Sequence, residues 1–127
     1  MNRRFAHVGG SIAAALLVTS SAAWAAGLPR RVGQCATTKV AEIGSRLEGM
    51  PDSGSAIRYA NGGAQVSYSI IAGVRRSRVG DLVKLCLVQL PKGCPKGDDR
   101  GKIYRATNLR TGMSWTAQDT QHSCGGA

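Results

Sequence analysis

The chain has 127 residues, of which 17 are Lys or Arg and 7 are Asp or Glu, so its formal net charge is +10. This length corresponds to one domain rather than several. Aromatic residues make up only 5% of the chain, which predicts a thin hydrophobic core that needs additional support.

Residues 1–25 have the three parts of a secretory signal peptide. Arg3 and Arg4 give a positively charged start, residues 12–18 form an apolar run, and the segment Ala23–Ala25 supplies the small residues that a signal peptidase requires. A membrane-spanning helix needs about 20 apolar residues, so this run is too short to be one, and no second candidate follows it. We therefore predict cleavage after residue 25, export to the periplasm or beyond, and no transmembrane segment in the mature chain. Without its two signal arginines the chain has a net charge of +8.

The first part of the mature chain gives weaker signals. Residues 26–34 contain a proline and a pair of arginines, and they predict a flexible basic arm. Residues 35–48 are ambiguous, because their aliphatic spacing fits a helical stripe while their threonines and central glycine fit a bent strand. We favour the strand, followed by a loop at residues 49–55.

The middle of the chain carries the clearest pattern. Residues 57–60 and 66–70 alternate apolar and polar side chains around Asn61-Gly62-Gly63, which predicts a β-hairpin. Residues 74–81 then form a basic loop. Residues 82–90 are nearly all apolar, as in a central strand of the core.

The last part of the chain predicts a loop at residues 91–101 and two further strands at residues 103–107 and 113–117. About six short strands and no convincing helix indicate an all-β fold, a small antiparallel barrel or sandwich stapled by two disulfides. We place this single disulfide-bonded β domain in residues 35–127.

Four cysteines lie in the mature chain: Cys35, Cys86, Cys94 and Cys124. An even number in an exported domain predicts two disulfides, and four cysteines allow three connectivities. We favour Cys35–Cys86 with Cys94–Cys124, because the second pair brackets the last hairpin; the alternative is Cys86–Cys94 with Cys35–Cys124. Each bridge is expected to stabilise the fold by roughly 3.5–4 kcal/mol. The spacing lacks the short Cys-x-x-Cys pair that is typical of zinc sites.

Two groups of polar residues are candidates for catalysis or metal binding. Asp119, His122 and Ser123 bring together a carboxylate, an imidazole and a hydroxyl, but neighbours in sequence rarely reach the geometry of a catalytic triad. Asp98 and Asp99 supply too few oxygens for calcium, and they fit a turn in which Arg100 forms a surface ion pair. The sequence therefore predicts no catalytic residue, no metal and no cofactor.

The basic residues are the strongest candidates for binding. Arg75, Arg76 and Arg78 cluster on one predicted loop, and Lys96 and Arg100 lie on the next. Such charge attracts polyanions. Nucleic-acid binders pair it with aromatic platforms, whereas the tyrosines here occupy core-like strand positions, so nucleic acid is not expected. Anionic envelope glycans, lipid headgroups or a protein partner are the expected ligands.

Several short motifs in residues 77–127 resemble a group of small exported bacterial proteins that has no described activity. The most specific of them are Cys-Pro-x-Gly-Asp-Asp-Arg-Gly at residues 94–101 and the ending His-x-Cys-Gly-Gly-Ala at residues 122–127. Further motifs lie at residues 78–81, 108–111 and 114–116. The resemblance implies a disulfide-bonded secreted module, and it transfers no catalytic or binding residue.

Together these features predict a small exported, non-catalytic binding or envelope-associated accessory module with a basic surface. The alternative is an inhibitor of an envelope or host hydrolase, by analogy with the small exported β-barrels that inhibit lysozyme. The sequence leaves the ligand and the oligomeric state open.

Overall fold

The structure is a computed structural model that describes residues 9–17 and 27–126. Most of the predicted signal peptide, including its basic start and its cleavage site, lies outside the described residues. Within residues 9–17 the apolar side chains are exposed, for example Ile12 and Leu16. None of the helices in the described ranges is long and apolar enough to cross a bilayer.

Six strands form a closed antiparallel barrel in the order β1-β2-β3-β6-β5-β4. The described elements are β1 Cys35–Gly44, a 3-10 turn Pro51–Ser53, β2 Ser55–Tyr59, β3 Ala64–Ser67, α1 Ala72–Arg76, β4 Leu82–Gln89, β5 Ile103–Asn108 and β6 Ser114–Gln118. The all-β prediction is therefore confirmed, and the architecture is the barrel rather than the sandwich. The ambiguous segment after Cys35 is a strand, as favoured, but it ends at Gly44 rather than at residue 48, and the Asn-Gly turn connects β2 to β3.

The core is built from alternate residues of the strands, because successive side chains point to opposite faces. In β4, Val83, Leu85 and Leu87 are fully buried, whereas Leu82 is 37% exposed. The prediction of a central core strand thus holds for one face of β4 only. Trp115 completes the core, but Tyr68 is 60% exposed, so the prediction that every tyrosine occupies a core-like position was wrong for this residue.

A short helix replaces the first part of the predicted basic loop. The chain leaves β3 at Ser67, earlier than predicted, and α1 packs Gly73 against the Trp115 ring. A Cβ atom built on Gly73 would lie 2.4 Å from Trp115 Cε3, so the contact requires glycine. Val74 is buried in the core beside it. Five residues are too few for a helical periodicity to be recognised in the sequence.

The predicted flexible arm is held against the barrel from Leu28 onward. Pro29 is fully buried and Leu28 packs on the core. The amide of Gly33 donates to the Leu87 carbonyl at 2.9 Å, and the amide of Leu87 donates to the Gln34 carbonyl at 3.0 Å. These bonds extend the β1–β4 pairing beyond the strand, which is how the arm becomes part of the fold.

Both disulfides have the favoured connectivity. Cys35 and Cys86 are direct partners on β1 and β4, and Cys94 is bonded to Cys124 across the ends of the β5–β6 hairpin. The first bridge locks two strands of the barrel. The second ties the chain before β5 to the tail that follows β6.

The junction between β3 and β6 is closed by a side chain. The two strands share a single backbone pair, Val66 with Gln118. Gln65, which is 1% exposed, donates from Nε2 to the carbonyls of Tyr104 (2.7 Å) and Ala117 (3.2 Å). Its Oε1 accepts from Tyr59 Oη (2.6 Å) and Trp115 Nε1 (2.9 Å). All its hydrogen-bonding groups are satisfied, and the amide fills the gap that the short ladder leaves.

Candidate anion-binding surface

An ion pair joins the two turns at one end of β4 and β5. Asp81 Oδ1 accepts from Arg110 Nε at 2.8 Å, and Asp81 Oδ2 accepts from Arg110 Nη2 at 3.0 Å. Asn108 Nδ2 donates to the same carboxylate at 2.9 Å and to Ser77 Oγ at 2.9 Å. The hydrogen bonds from Arg110 and Asn108 hold the pKa of Asp81 well below its usual range. The carboxylate thus stays charged, and it fixes one turn against the other.

The predicted basic loop contacts this pair through its backbone, and we call its three arginines the basic tip: Arg75, Arg76 and Arg78. All three are exposed, and none takes part in an ion pair among the residues that the structure describes. Their backbone is nevertheless fixed, because the Arg76 carbonyl accepts from Arg110 Nη2 at 2.8 Å and the Arg78 amide donates to Asp81 at 2.8 Å. The basic tip therefore presents free guanidinium groups on an ordered backbone.

A second set of cations lies on the outer surface of the sheet, and sequence reasoning missed it. We call Lys39, Lys84 and Arg105 the basic face; they lie on β1, β4 and β5 and are all exposed. Lys39 pairs with Leu82 at the start of β4, so this face begins where the basic tip ends. The sequence signal that could have identified them is the alternation of these cations with apolar residues, such as Lys84 between Val83 and Leu85.

The neighbours of the basic face are hydroxyl groups rather than carboxylates. Lys84 lies between Thr37 and Thr107 in the register of the strands, and Arg105 is paired with Thr116. Strands β4, β5 and β6 contain no Asp or Glu. Among the described residues these three cations form no ion pair, and the acidic residue of β1, Glu42, lies 3.7 Å from Arg58 instead.

The acidic residues lie elsewhere and are largely paired. Asp99 and Asp119 contact Lys102 at 2.6 and 3.9 Å, and the exposed Glu42 lies 3.7 Å from Arg58. Most of these groups border the C-terminal tail or the second half of β1. Apart from Asp81, which is bound to Arg110 beside the basic tip, these paired carboxylates thus lie away from the unpaired cations.

Lys96 and Arg100 do not belong to the basic tip. Their loop joins the far end of β4 to β5, so eight residues of strand separate it from the tip, or about 23 Å at the usual rise. Arg100 Nε and Nη2 each lie 2.9 Å from an oxygen of Asp98, and Nη2 also donates to the Gly126 carbonyl at 3.1 Å. These bonds give Arg100 a structural role, whereas Lys96 remains exposed.

A groove of about 810 Å³ separates the end of β1 from the C-terminal tail. Its lining carries both charges, including Glu42, Arg58 and His122. Asp119 accepts from the Gly101 amide at 2.9 Å, while the neighbouring His122 is exposed. Across the described part of the chain, no group of three or more His, Cys, Asp or Glu is placed to hold a metal ion. Such mixed charge does not select one class of ligand.

Four of the motifs that carry the resemblance meet in pairs. Residues 78–81 and 108–111 are joined by the Asp81–Arg110 pair. Residues 94–101 bind the C-terminal ending through the second disulfide, through the Gly125 amide on Asp98 at 3.0 Å and through the Cys124 amide on the Arg100 carbonyl at 2.8 Å. Hydrogen bonds from Arg100 and Gly125 lower the pKa of Asp98. In the structure these four motifs hold distant segments of the chain together.

Comparison with protein family models, with curated proteins and with solved structures finds no match. The resemblance therefore stays a prediction. The charge and exposure of the surface are the remaining indications of function.

Proposed function

We propose that this protein is a small exported, non-catalytic binding module that attaches to anionic groups of the cell envelope. The observation that carries the proposal is the continuity of the basic tip with the basic face. Six exposed cations follow one another over one side of the barrel, and none of them forms an ion pair among the residues that the structure describes.

The rigidity of the scaffold supports the proposal. Binding costs less when the binding groups need little ordering. The Cys35–Cys86 disulfide lies between the strands of the basic face, and the Asp81–Arg110 pair fixes the backbone of the basic tip. A multiply charged ligand therefore meets cations whose backbone positions are already set.

The expected export of the protein limits the classes of anionic ligand that it can meet. Two disulfides are typical of oxidising compartments, and the predicted signal peptide gives a route to one. Outside the cytoplasm, the abundant polyanions are anionic lipids, lipopolysaccharide and wall polymers. A field of unpaired cations attracts all of these, and the attraction falls as salt is added.

The test compares neutralised variants in binding to vesicles of phosphatidylglycerol and phosphatidylcholine. A basic residue near an anionic membrane is worth roughly 1 kcal/mol, so R75Q/R76Q should weaken binding about 30-fold and reduce its dependence on salt. The matched control is K92Q/K96Q, which removes the same charge from exposed positions in the loop at the far end of β4. Equal losses in both variants, or no salt-dependent binding by the unsubstituted protein, would overturn the proposal.

A further inference from the structure

Exposed aliphatic side chains lie directly beside the basic tip. Val79 is 68% exposed and Leu109 is 53% exposed, and both belong to the turns that Asp81 and Arg110 join. A single exposed aliphatic residue is ordinary on a protein surface. Two of them at adjacent turns, with the unpaired Arg78 next to Val79 in the chain and the Arg76 backbone bound to Arg110, form a mixed apolar and cationic surface.

Both side chains are presented by a fixed backbone. The Asp81 amide donates to the Arg78 carbonyl at 3.0 Å, which closes a turn with Val79 at its second position and Gly80 at its third. Gly80 has φ +92°, the left-handed conformation that the third position of a type II turn requires. The exposure of Val79 thus follows from the geometry of the turn and not from a loose loop.

The second turn is attached to the start of β4. The Leu109 amide donates to the Leu82 carbonyl at 2.9 Å, and the Gly80 amide donates to the Val40 carbonyl at 2.8 Å. Leu82, itself 37% exposed, directly follows the first turn in the chain, and its carbonyl binds the second turn. The aliphatic groups share one end of the barrel with the basic tip.

This combination is the one that anionic bilayers recognise. At a membrane surface, aliphatic groups are stabilised in the boundary between headgroups and acyl chains, while arginines remain at the level of the anionic phosphates. A soluble glycan or wall polymer supplies the negative charge alone. The exposed aliphatic residues therefore favour a lipid surface over other polyanions.

We infer that this end of the barrel docks on an anionic phospholipid bilayer, with Val79 and Leu109 inserted below the phosphate level and the basic tip on the headgroups. The inference rests on the proposed function and names its ligand. It assigns the basic face a supporting part, in which long-range attraction brings the barrel to the surface before the turns insert.

Insertion depth is measured by tryptophan fluorescence. V79W and L109W are prepared separately in the oxidised protein and mixed with phosphatidylglycerol vesicles whose acyl chains carry bromine, and the signal of the unsubstituted protein is subtracted. We expect both new tryptophans to be quenched. V88W is the matched control, because Val88 is 41% exposed but lies near the opposite end of β4.

A second pair of variants separates this inference from the proposed function. V79S/L109S should bind phosphatidylglycerol vesicles about tenfold more weakly than the unsubstituted protein, yet bind soluble polyphosphate equally well. The control V88S/L90S should change neither the binding to vesicles nor the binding to polyphosphate. Near-ultraviolet circular dichroism checks that each variant is folded.

The outcomes are distinct. Undiminished vesicle binding by V79S/L109S, without quenching of V79W, would overturn the insertion and leave the proposed function standing. Equal binding to purely phosphatidylcholine vesicles would overturn the requirement for an anionic bilayer. Failure of the unsubstituted protein to bind either vesicles or polyphosphate would overturn the proposed function itself.

Discussion

Asp81 and Arg110 are 29 residues apart in the chain, yet they form a two-point ion pair with N–O distances of 2.8 and 3.0 Å. The pair joins the turn before β4 to the turn between β5 and β6. It also sets the backbone from which the basic tip and both exposed aliphatic residues project. One internal salt bridge therefore organises the surface to which we assign binding.

The ion-paired carboxylates of Asp81 and Asp98 predict a loss of stability in acid. The pKa values of Asp81 and Asp98 are lower in the folded protein than their usual value of 3.8. Their contribution is therefore complete above that value and is lost as the pH falls toward the folded pKa values. We expect the melting temperature to fall between pH 5 and pH 2 by circular dichroism, and D81N to flatten this dependence. A melting temperature that stays constant over this range would contradict the prediction.

Gln65 gives a prediction about the barrel itself. In Q65L the Tyr59 hydroxyl, the Trp115 indole and the Tyr104 carbonyl lose their partners at a buried position. A buried polar group without a partner costs about 1–3 kcal/mol, so we expect a loss of about 3 kcal/mol in the free energy of unfolding measured in urea. Burial raises the pKa of the Tyr59 phenol above its usual value, so the hydroxyl stays protonated and keeps its need for a hydrogen-bond acceptor.

The matched control for this variant is Q89L, at an exposed position of β4. Substitutions at such surface positions usually change stability by less than about 0.5 kcal/mol. Equal effects of Q65L and Q89L would show that the β3–β6 junction does not depend on the buried amide.

The contact between Gly73 and Trp115 predicts that even an alanine side chain at position 73 destabilises the fold. G73A places a methyl group within 2.4 Å of the indole, and overpacking of this kind costs about 1–3 kcal/mol. We expect lower stability in urea together with a changed near-ultraviolet signal from Trp115. G44A is the control, because a Cβ atom at Gly44 meets nothing within 4 Å. An unchanged near-ultraviolet signal in G73A would contradict the close packing.

Removal of the second disulfide tests how the C-terminal motif is held. C94A/C124A should lose about 3–4 kcal/mol of stability, the value expected when a chain segment of this length is no longer closed in the unfolded state. The tail retains its hydrogen bonds to Asp98 and Arg100, so we expect the variant to remain folded. A loss below about 1 kcal/mol in urea would show that these polar contacts hold the tail without the bridge.

Most of the fold could be predicted from local patterns in the sequence. Alternation of apolar and polar residues marks a strand because side chains change face at every residue, and the Asn61-Gly62 turn marks a hairpin because it tolerates positive φ. The favoured disulfide pairing followed from the last hairpin in the same way. These signals depend only on neighbours in the chain, which is why they were readable.

Other features arise from contacts between distant segments and left little local trace. The helix α1 is defined by the fit of Gly73 on Trp115, and the apparent arm is held by β4. Lys96 and Arg100 were grouped with the basic loop by their charge, but the length of β4 separates them from it. Neighbourhood in the sequence does not give distance around a closed barrel.

The sequence by itself determined the strand pattern, the favoured disulfides and the excess of positive charge, since each is a property of composition or of local spacing. Only the tertiary structure decided that the sheet closes on the Gln65 amide and which cations are neutralised. It also decided that Lys39, Lys84 and Arg105 share one face of the sheet and that this face adjoins the basic tip. The register between strands sets these relationships, because a shift of one residue would move every side chain to the other face of the sheet.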